Sequence, residues 1–365
     1  MRRIAVVIPA YNAEATIEEA LDCALRQSRA PDEILVVDDG SRDDTARLVE
    51  AYCRRDRRIR LLRQANGGPA AARNRAIAET DADFVAPLDA DDLWDLAYLE
   101  TLVGALERAP DAGFAYCRHR IVDAQGKPIR DANPPIMSGG IFGPLLLVNM
   151  VGHGSAAVFN RTALVHAGGY EAPIPGSFLA EDYLLQLRIA AVSPAIGIDH
   201  VLSSYRASSG SISRDVEAAR AARVAAVRLA LAEYGPCPLP ALAWTKADAD
   251  RVLAAQSLMR GEKLLASKTA SRAAIADPAG TASDLARRVS NFVMRRLGIT
   301  IPVGRADPLL RSRAHRLQAA MPFGRQYRGE RVPSDTSARP EFGRASLRSA
   351  RSPVAENTAH APSAR

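Results

Sequence analysis

The chain has 365 residues, 47% of them apolar, and carries 48 Lys/Arg against 41 Asp/Glu for a net charge of +7. Length and composition fit a soluble globular protein of one large domain or two ordinary ones, and the longest apolar runs, such as IFGPLLLVNMVG, are too short to span a membrane. From Ile301 onward there are twelve Lys/Arg and five Asp/Glu, so residues 1–300 are neutral and the excess charge gives no ground for reading the folded part as a nucleic-acid binder.

Strands and helices alternate over the first 110 residues. RIAVVIPA reads as a buried strand, AEATIEEALDCALRQ as a helix, and DEILVVDDGS as a second strand ending in acids and a glycine. RDDTARLVEAYCRR predicts a second helix, with Asp43 and Asp44 at its positive end. RIRLLRQ, GPAAARNRAIAET and DADFVAPLDA follow as strand, helix and strand, and LWDLAYLETLVGALERA as a further helix. This order predicts an α/β fold with a mostly parallel central sheet flanked by helices. In such sheets ligands sit beyond the C-terminal ends of the strands. Asp38 and Asp39 therefore share a rim with Asp89, Asp91, Asp92 and the PAYN that ends the first strand.

Between about 112 and 205 the pattern loosens. GFAYCRHRIVDAQGKPI predicts a strand and a turn; SAAVFNRTALVHAGGY predicts a strand, a short helix and a glycine stop; AEDYLLQLRIAAV predicts an apolar helix with acids at its start. Asp215 to about Leu297 reads as helical with a break at YGPCPLP, and the Ser/Ala/Arg/Pro-rich text after Met321 as disordered. Cys23, Cys53, Cys117 and Cys237 show no paired or metal-binding spacing and read as free thiols in a reducing compartment. MRR leads directly into IAVVIPAYN, without a signal peptide, so the expectation is a cytoplasmic protein.

The turn after the first strand, PAYNAEA, has no glycine, which argues against a dinucleotide fold of the G-x-G-x-x-G type, and there is no P-loop lysine motif. Three acids in LDADD exceed what capping a helix near Leu93 requires. A hard divalent ion with carboxylate and phosphate oxygens as ligands fits them.

VVIPAYNAEATIEEALDCALRQ, DEILVVDDGSRDDT, NGGPAAARNRAI, FVAPLDADDLW and AEDYLLQLRIA stand in the order and rough spacing of the family 2 glycosyltransferases, which the chain resembles from Arg3 to about Ser213. The resemblance implies an inverting enzyme of the GT-A fold, dependent on a nucleotide-diphosphate sugar, with a UDP-sugar favoured. By the same resemblance, Pro9, Tyr11 and Asp39 hold the nucleotide base, and Asn66 to Arg73 complete the nucleoside pocket, with Arg73 partnering Asp39 or a phosphate. It further implies that Asp89 reaches the ribose or metal shell, that Asp91 ligates Mg²⁺ or Mn²⁺ on the diphosphate, and that Asp182 is the general base beside Glu181. Arg206 in SSYRASSGSISRD resembles an arginine that closes over the diphosphate on a mobile loop, and His153 in VGHGS is a candidate acceptor contact.

Three regions are expected: a catalytic domain over 1–213, with a nucleotide-sugar half to about 110 and an acceptor half over 111–213; a helical accessory region over 214–321; and a disordered basic tail over 322–365. The partners implied are a nucleotide-sugar donor and a glycan or lipid-linked glycan acceptor. Arginines such as those in MRRLG and LLRSRAHRL leave room for peripheral contact with the inner face of a membrane. A nucleotidyltransferase would open on a glycine-rich loop and a nearby basic residue, which IPAYNAEA lacks. A non-catalytic sugar-binding module would be supported by loss of Asp91 or Asp182, and both are present.

Overall fold

A computed structural model describes residues 2–132, 134–207, 215–235, 241–259, 262–282, 312–313 and 316–317. Four strands carry the N-terminal half: β1 (Ile4–Ala10), β2 (Glu33–Asp38), β3 (Ile59–Arg63) and β4 (Phe84–Pro87). β1 pairs in parallel with β2 on one side and β4 on the other, and β2 pairs in parallel with β3. Such strands are covered on both faces and so need apolar side chains throughout; β2 and β4 are buried at every residue. Register brings Ala10 beside Asp38 and Val7 beside Pro87, so all three strand ends open on one rim.

Helices α1 (Ile17–Leu25), α2 (Thr45–Arg55) and α3 (Gly68–Ala78) connect these strands. α1 buries Ile17, Ala20, Leu21 and Ala24, spaced as one face of a helix requires. Each large aliphatic side chain buried in this way stabilises the fold by about 1.5–3 kcal/mol.

The expected helix at LWDLAYLETLVGALERA begins late. Leu93–Trp94 is a short strand, β5, and α4 runs Tyr98–Arg108. Leu93 and Trp94 pair with Ser204 and Ser203 of a strand more than a hundred residues away, an interaction that local spacing cannot reveal. Trp94 then stacks on Tyr98, ring centroids 4.2 Å apart, at the start of α4. Asp91 and Asp92 consequently precede a strand rather than cap a helix.

In the second half, β6 (Phe114–Val122) forms a hairpin with β7 (Pro128–Ala132), and β8 (Ala157–Asn160) inserts antiparallel between β4 and β6. β9 (Ala195–Arg206) pairs in parallel with β6 and antiparallel with β5. The path through the nine-stranded sheet is β3-β2-β1-β4-β8-β6-β9-β5, with β7 beside β6. The mostly parallel sheet expected is parallel through its first half, while the second half is mixed. Short helices α5 (Phe142–Leu147) and α6 (Arg161–His166), a 3₁₀ turn at Gly154–Ala156 and the longer α7 (Glu181–Val192) lie between these strands.

Beyond the sheet, α8 (Val216–Tyr234), α9 (Ala241–Met259) and α10 (Lys263–Ala276) confirm helix over much of 215–297. The Arg188 guanidinium of α7 donates to Glu233 of α8 at 2.9 and 2.6 Å, and Phe142 of α5 meets Tyr234 edge-on. The break at YGPCPLP, with Cys237, and the boundary near 213 lie outside the described residues, as does the tail from 322. Cys23, Cys53 and Cys117 are free thiols. No described helix is long and apolar enough to cross a membrane.

Candidate active site

The rim at the ends of β1, β2 and β4 gathers the expected donor residues. Asp39 lies directly after β2 and is buried; its backbone N–H donates to Ala10 at 2.8 Å, which ties it to the end of β1 beside Pro9 and Tyr11. The Asp39 carboxylate accepts from the N–H groups of Gly67 and Gly68, at 2.9 and 2.7 Å, and from Gln64 at 2.8 Å. A carboxylate has about four acceptor positions, so one remains for a ligand N–H. Gly68 has φ +84, and the Phe178 ring lies where a β-carbon would stand, 2.2 Å from its nearest atom. Tyr11, just beyond the end of β1, is 48% exposed, and Asn66, just before Gly67, is exposed as well.

Arg73 does not reach Asp39. It lies five residues into α3 from Gly68, roughly 140° further round the helix, and so faces a different set of acids. Its guanidinium bonds Asp89 at 2.5 Å and Glu181 at 2.7 Å and lies over the Tyr170 ring, with only 4% of the side chain exposed. One cation thereby joins the end of β4 to the start of α7, with Glu181 lying 108 positions from Arg73 in the chain. Ala180, immediately before Glu181, has φ +64, a left-handed conformation that non-glycine residues hold only under constraint.

Asp182 is half-buried beside Glu181, its carboxylate accepting from the Tyr183 N–H at 2.7 Å. Burial raises its pKa, against the pull of Arg73. Burial likewise pushes Glu181 up to about 7 despite its ion pair. An acid with a raised pKa is suited to accept a proton near neutrality.

The Asp89–Asp92 turn uses its three acids differently. Asp89 holds Arg73, while Asp92, only 1% exposed, accepts from Ser155 Oγ (2.7 Å), His153 Nδ1 (2.9 Å) and the Arg206 N–H (3.0 Å). Asp91 has no ion-pair partner among the described residues. Burial, reinforced by Asp92 and Asp89, pushes it up to about 7. No three potential ligand side chains among the described residues gather around a cation position. Asp91 therefore fits a hard divalent cation only as one ligand among several, the others being ligand oxygens and water, which is the way Mg²⁺ is commonly held beside phosphates.

Arg206 ends β9 and is buried. Its guanidinium donates to the Asp91 carbonyl (2.7 Å), the Ala124 carbonyl (2.7 Å) and Glu19 (2.5 Å), so it grips the turn itself. The loop beyond it, 208–214, lies outside the described residues. His153 turns inward: Nδ1 meets Asp92, and Nε2 meets Ser203 Oγ at 2.9 Å. Asp92 was placed on the rim from the sequence, but Ser155, Ser203, Gln64 and Glu19 were not singled out. Their partners are distant in the chain and no local spacing marks them.

The raised Asp91 pKa has a measurable consequence. The folded chain keeps this proton where the unfolded chain, at the ordinary carboxylate value of 3.8, has lost it. Stability from this group is complete below that value and lost as pH rises through about 7. In metal-free buffer, Asp91→Asn should therefore gain melting temperature over the wild type between pH 4.5 and 7.5. A constant difference across that range, read by differential scanning calorimetry, would contradict the assignment.

Residues 5–167 match the family model described as glycosyl transferase family 2. This part of the chain belongs to glycosyltransferase family 2. The domain is 31% identical over 208 residues to an uncharacterized glycosyltransferase of Rickettsia felis, a match covering 57% of this chain and 33% of that protein. It is 27% identical over 192 residues to the chondroitin synthase of Escherichia coli, covering 52% of this chain and 27% of that protein. The chain spans about a third of the length of the curated relatives it matches first. The mannosyltransferase PcManGT from Pyrobaculum calidifontis, solved in complex with GDP-Man and Mn²⁺, aligns with a TM-score of 0.54 at 22% identity. That alignment covers 88% of this chain and 85% of that chain, and shows that the glycosyltransferase domain has a GT-A-like fold.

Proposed function

We propose that the chain is an inverting glycosyltransferase that moves a sugar from a nucleotide-diphosphate donor, a UDP-sugar by preference, to a hydroxyl of a glycan or lipid-linked glycan. The observation that carries this reading is the Arg73 bridge. It makes Asp89 at the donor rim and Glu181 beside Asp182 parts of one site. Pro9, Tyr11, Asp39 and Asn66 line the nucleoside side, where Tyr11 offers a ring face and Asp39 an acceptor for an imide N–H. Uracil and guanine both present such a group.

Asp91 would hold the Mg²⁺ or Mn²⁺ of the donor, with Asp89 at the ribose or metal shell and Arg206 acting through the Asp91 carbonyl. When bound, that ion neutralises charge on the departing diphosphate. Asp182 takes the proton of the acceptor hydroxyl as its oxygen attacks the anomeric carbon from the face opposite the diphosphate. A single displacement of this kind inverts the anomeric configuration. Glu181 holds Arg73 and, through the bridge, keeps the base helix against the donor rim.

Residues 1–213 form the catalytic domain in this reading, 214–321 an accessory region and 322–365 a tail. The basic C-terminal part suits the cytoplasmic face of an anionic membrane, where a lipid-linked acceptor would be met. The test is transfer from UDP- and GDP-sugars with NMR detection of the product. The expected anomeric signal is inverted relative to the donor; a retained configuration would overturn the single displacement.

A further inference from the structure

Among the described residues no side chain forms an ion pair or hydrogen bond with the Asp91 carboxylate, yet the turn that carries it is fixed from behind. The segment His153–Gly154–Ser155 lies beneath that turn. Ser155, wholly buried, accepts from the Asp89 N–H at 2.9 Å and donates to Asp92 Oδ2 at 2.7 Å, so one hydroxyl spans the turn. Its carbonyl accepts from Trp94 Nε1 at 2.7 Å, which ties the following strand to the same point. His153 meets the same Asp92 oxygen at 2.9 Å and passes the chain of hydrogen bonds to Ser203 of β9.

The histidine has little freedom to do otherwise. The rings of His119 and Tyr205 close on it edge-on, at centroid distances of 4.8 and 5.4 Å. Gly152, at φ +92, leaves room for His119: a β-carbon there would stand 2.2 Å from its Cε1. Gly154 runs close to the Arg73 bridge, where a β-carbon would lie 3.3 Å from Nη2 and 3.7 Å from Asp89 Oδ2. The three residues thus touch both acids that flank Asp91 and the cation that links the donor rim to α7.

We propose that His153 and Ser155 are positioning residues that fix the Asp89–Asp92 turn in the shape in which Asp91 presents its carboxylate to a divalent cation. This rests on the donor-site reading above. A side chain that orients a metal-binding group from behind commonly sets metal affinity by about 10- to 100-fold when removed. His153 would then touch neither donor nor acceptor, and its loss would be felt in metal binding before any other step.

The test uses the full chain and a direct count of free Mn²⁺ by electron paramagnetic resonance, in the presence of UDP or of GDP. His153→Leu and Ser155→Ala should each weaken Mn²⁺ binding by about 10- to 100-fold. His153→Asn, whose amide can still donate to Asp92, should stay within about threefold of the wild type, a rescue that packing alone would not give. Ser155→Ala removes a single hydroxyl and carries the test if His153→Leu does not fold, which metal-free melting reveals. Variants that fold and bind Mn²⁺ as tightly as the wild type overturn the inference alone. A wild type that binds no Mn²⁺ with either nucleotide overturns the proposed function and this inference with it.

Discussion

Replacing Asp182 by Asn is expected to slow sugar transfer by about 10²- to 10⁴-fold, the range that a positioned general base commonly supplies. Donor affinity should change by less than about twofold, because the side chain is assigned to the acceptor proton and to nothing on the nucleotide. Folding should not suffer. Burial raises the Asp182 pKa, so its charged form is the one the folded chain disfavours. Stability from this group is lost as pH rises through that raised pKa, and Asn removes the loss. The variant should therefore melt no lower than the wild type at pH 7.5. Steady-state kinetics together with a binding isotherm and a melt separate the outcomes: retained turnover removes Asp182 as the base, and lost donor binding moves it to the donor side.

Replacing Arg73 by Met should do the opposite, damaging the fold as much as the chemistry. The guanidinium is almost wholly buried and bonded to two carboxylates. Its removal leaves Asp89 and Glu181 facing each other without a cation, and breaking a buried ion pair in this way typically costs about 3–5 kcal/mol. The deficit should be largest above neutrality, where Glu181, pushed up to about 7 by burial, is charged, and shrink as pH falls and it takes up its proton. Lys should recover only part of it, because a single ammonium lacks the fork that reaches two carboxylates at once. Urea denaturation at pH 5 and pH 8 measures this. Equal deficits at the two values would show that the loss is packing rather than charge.

The donor half of this site was legible because its signals are local. Continuous apolar strands must be buried on both faces, their alternation with helices makes them parallel, and parallel strands end together. Asp39 and Asp91 could be set on one rim from that reasoning, and the order of motifs supplied the family. What could not be read was pairing over long distance. Leu93 and Trp94 continue the apolar spacing of the helix that follows, and only β9 makes them a strand. Arg73 could be recognised as a rim residue, yet its partners depend on how far α3 turns before reaching it and on Glu181 arriving from another part of the fold. Arg206 and His153 were expected to face a ligand because arginines and loop histidines at such positions can do so. Both instead turn inward, where burial demands a partner for every polar atom: Arg206 finds Glu19 and two carbonyls, and His153 finds Asp92 and Ser203.

The second half was hard to read for a related reason. β8 enters the sheet antiparallel and β9 runs between β6 and β5, so the side chains of 112–205 alternate between helix and sheet neighbours without a single period. The proposed acceptor side rests on this half, where Glu181 and Asp182 could be named from their motif while the residues that surround them could not.

The central claim is that Asp91 and a divalent cation together hold a nucleoside diphosphate, and thermal unfolding tests it most directly. UDP, GDP, dTDP and CMP would each be added with and without Mn²⁺ to the wild type and to Asp91→Ala. A ligand at a hundred times its Kd adds about 2.7 kcal/mol, enough to raise Tm by several degrees in a domain of this size. One diphosphate should raise the wild-type Tm only when Mn²⁺ is present, and the gain should vanish in Asp91→Ala. A rise that persists without the metal or without Asp91, or no rise with any nucleotide, would contradict it.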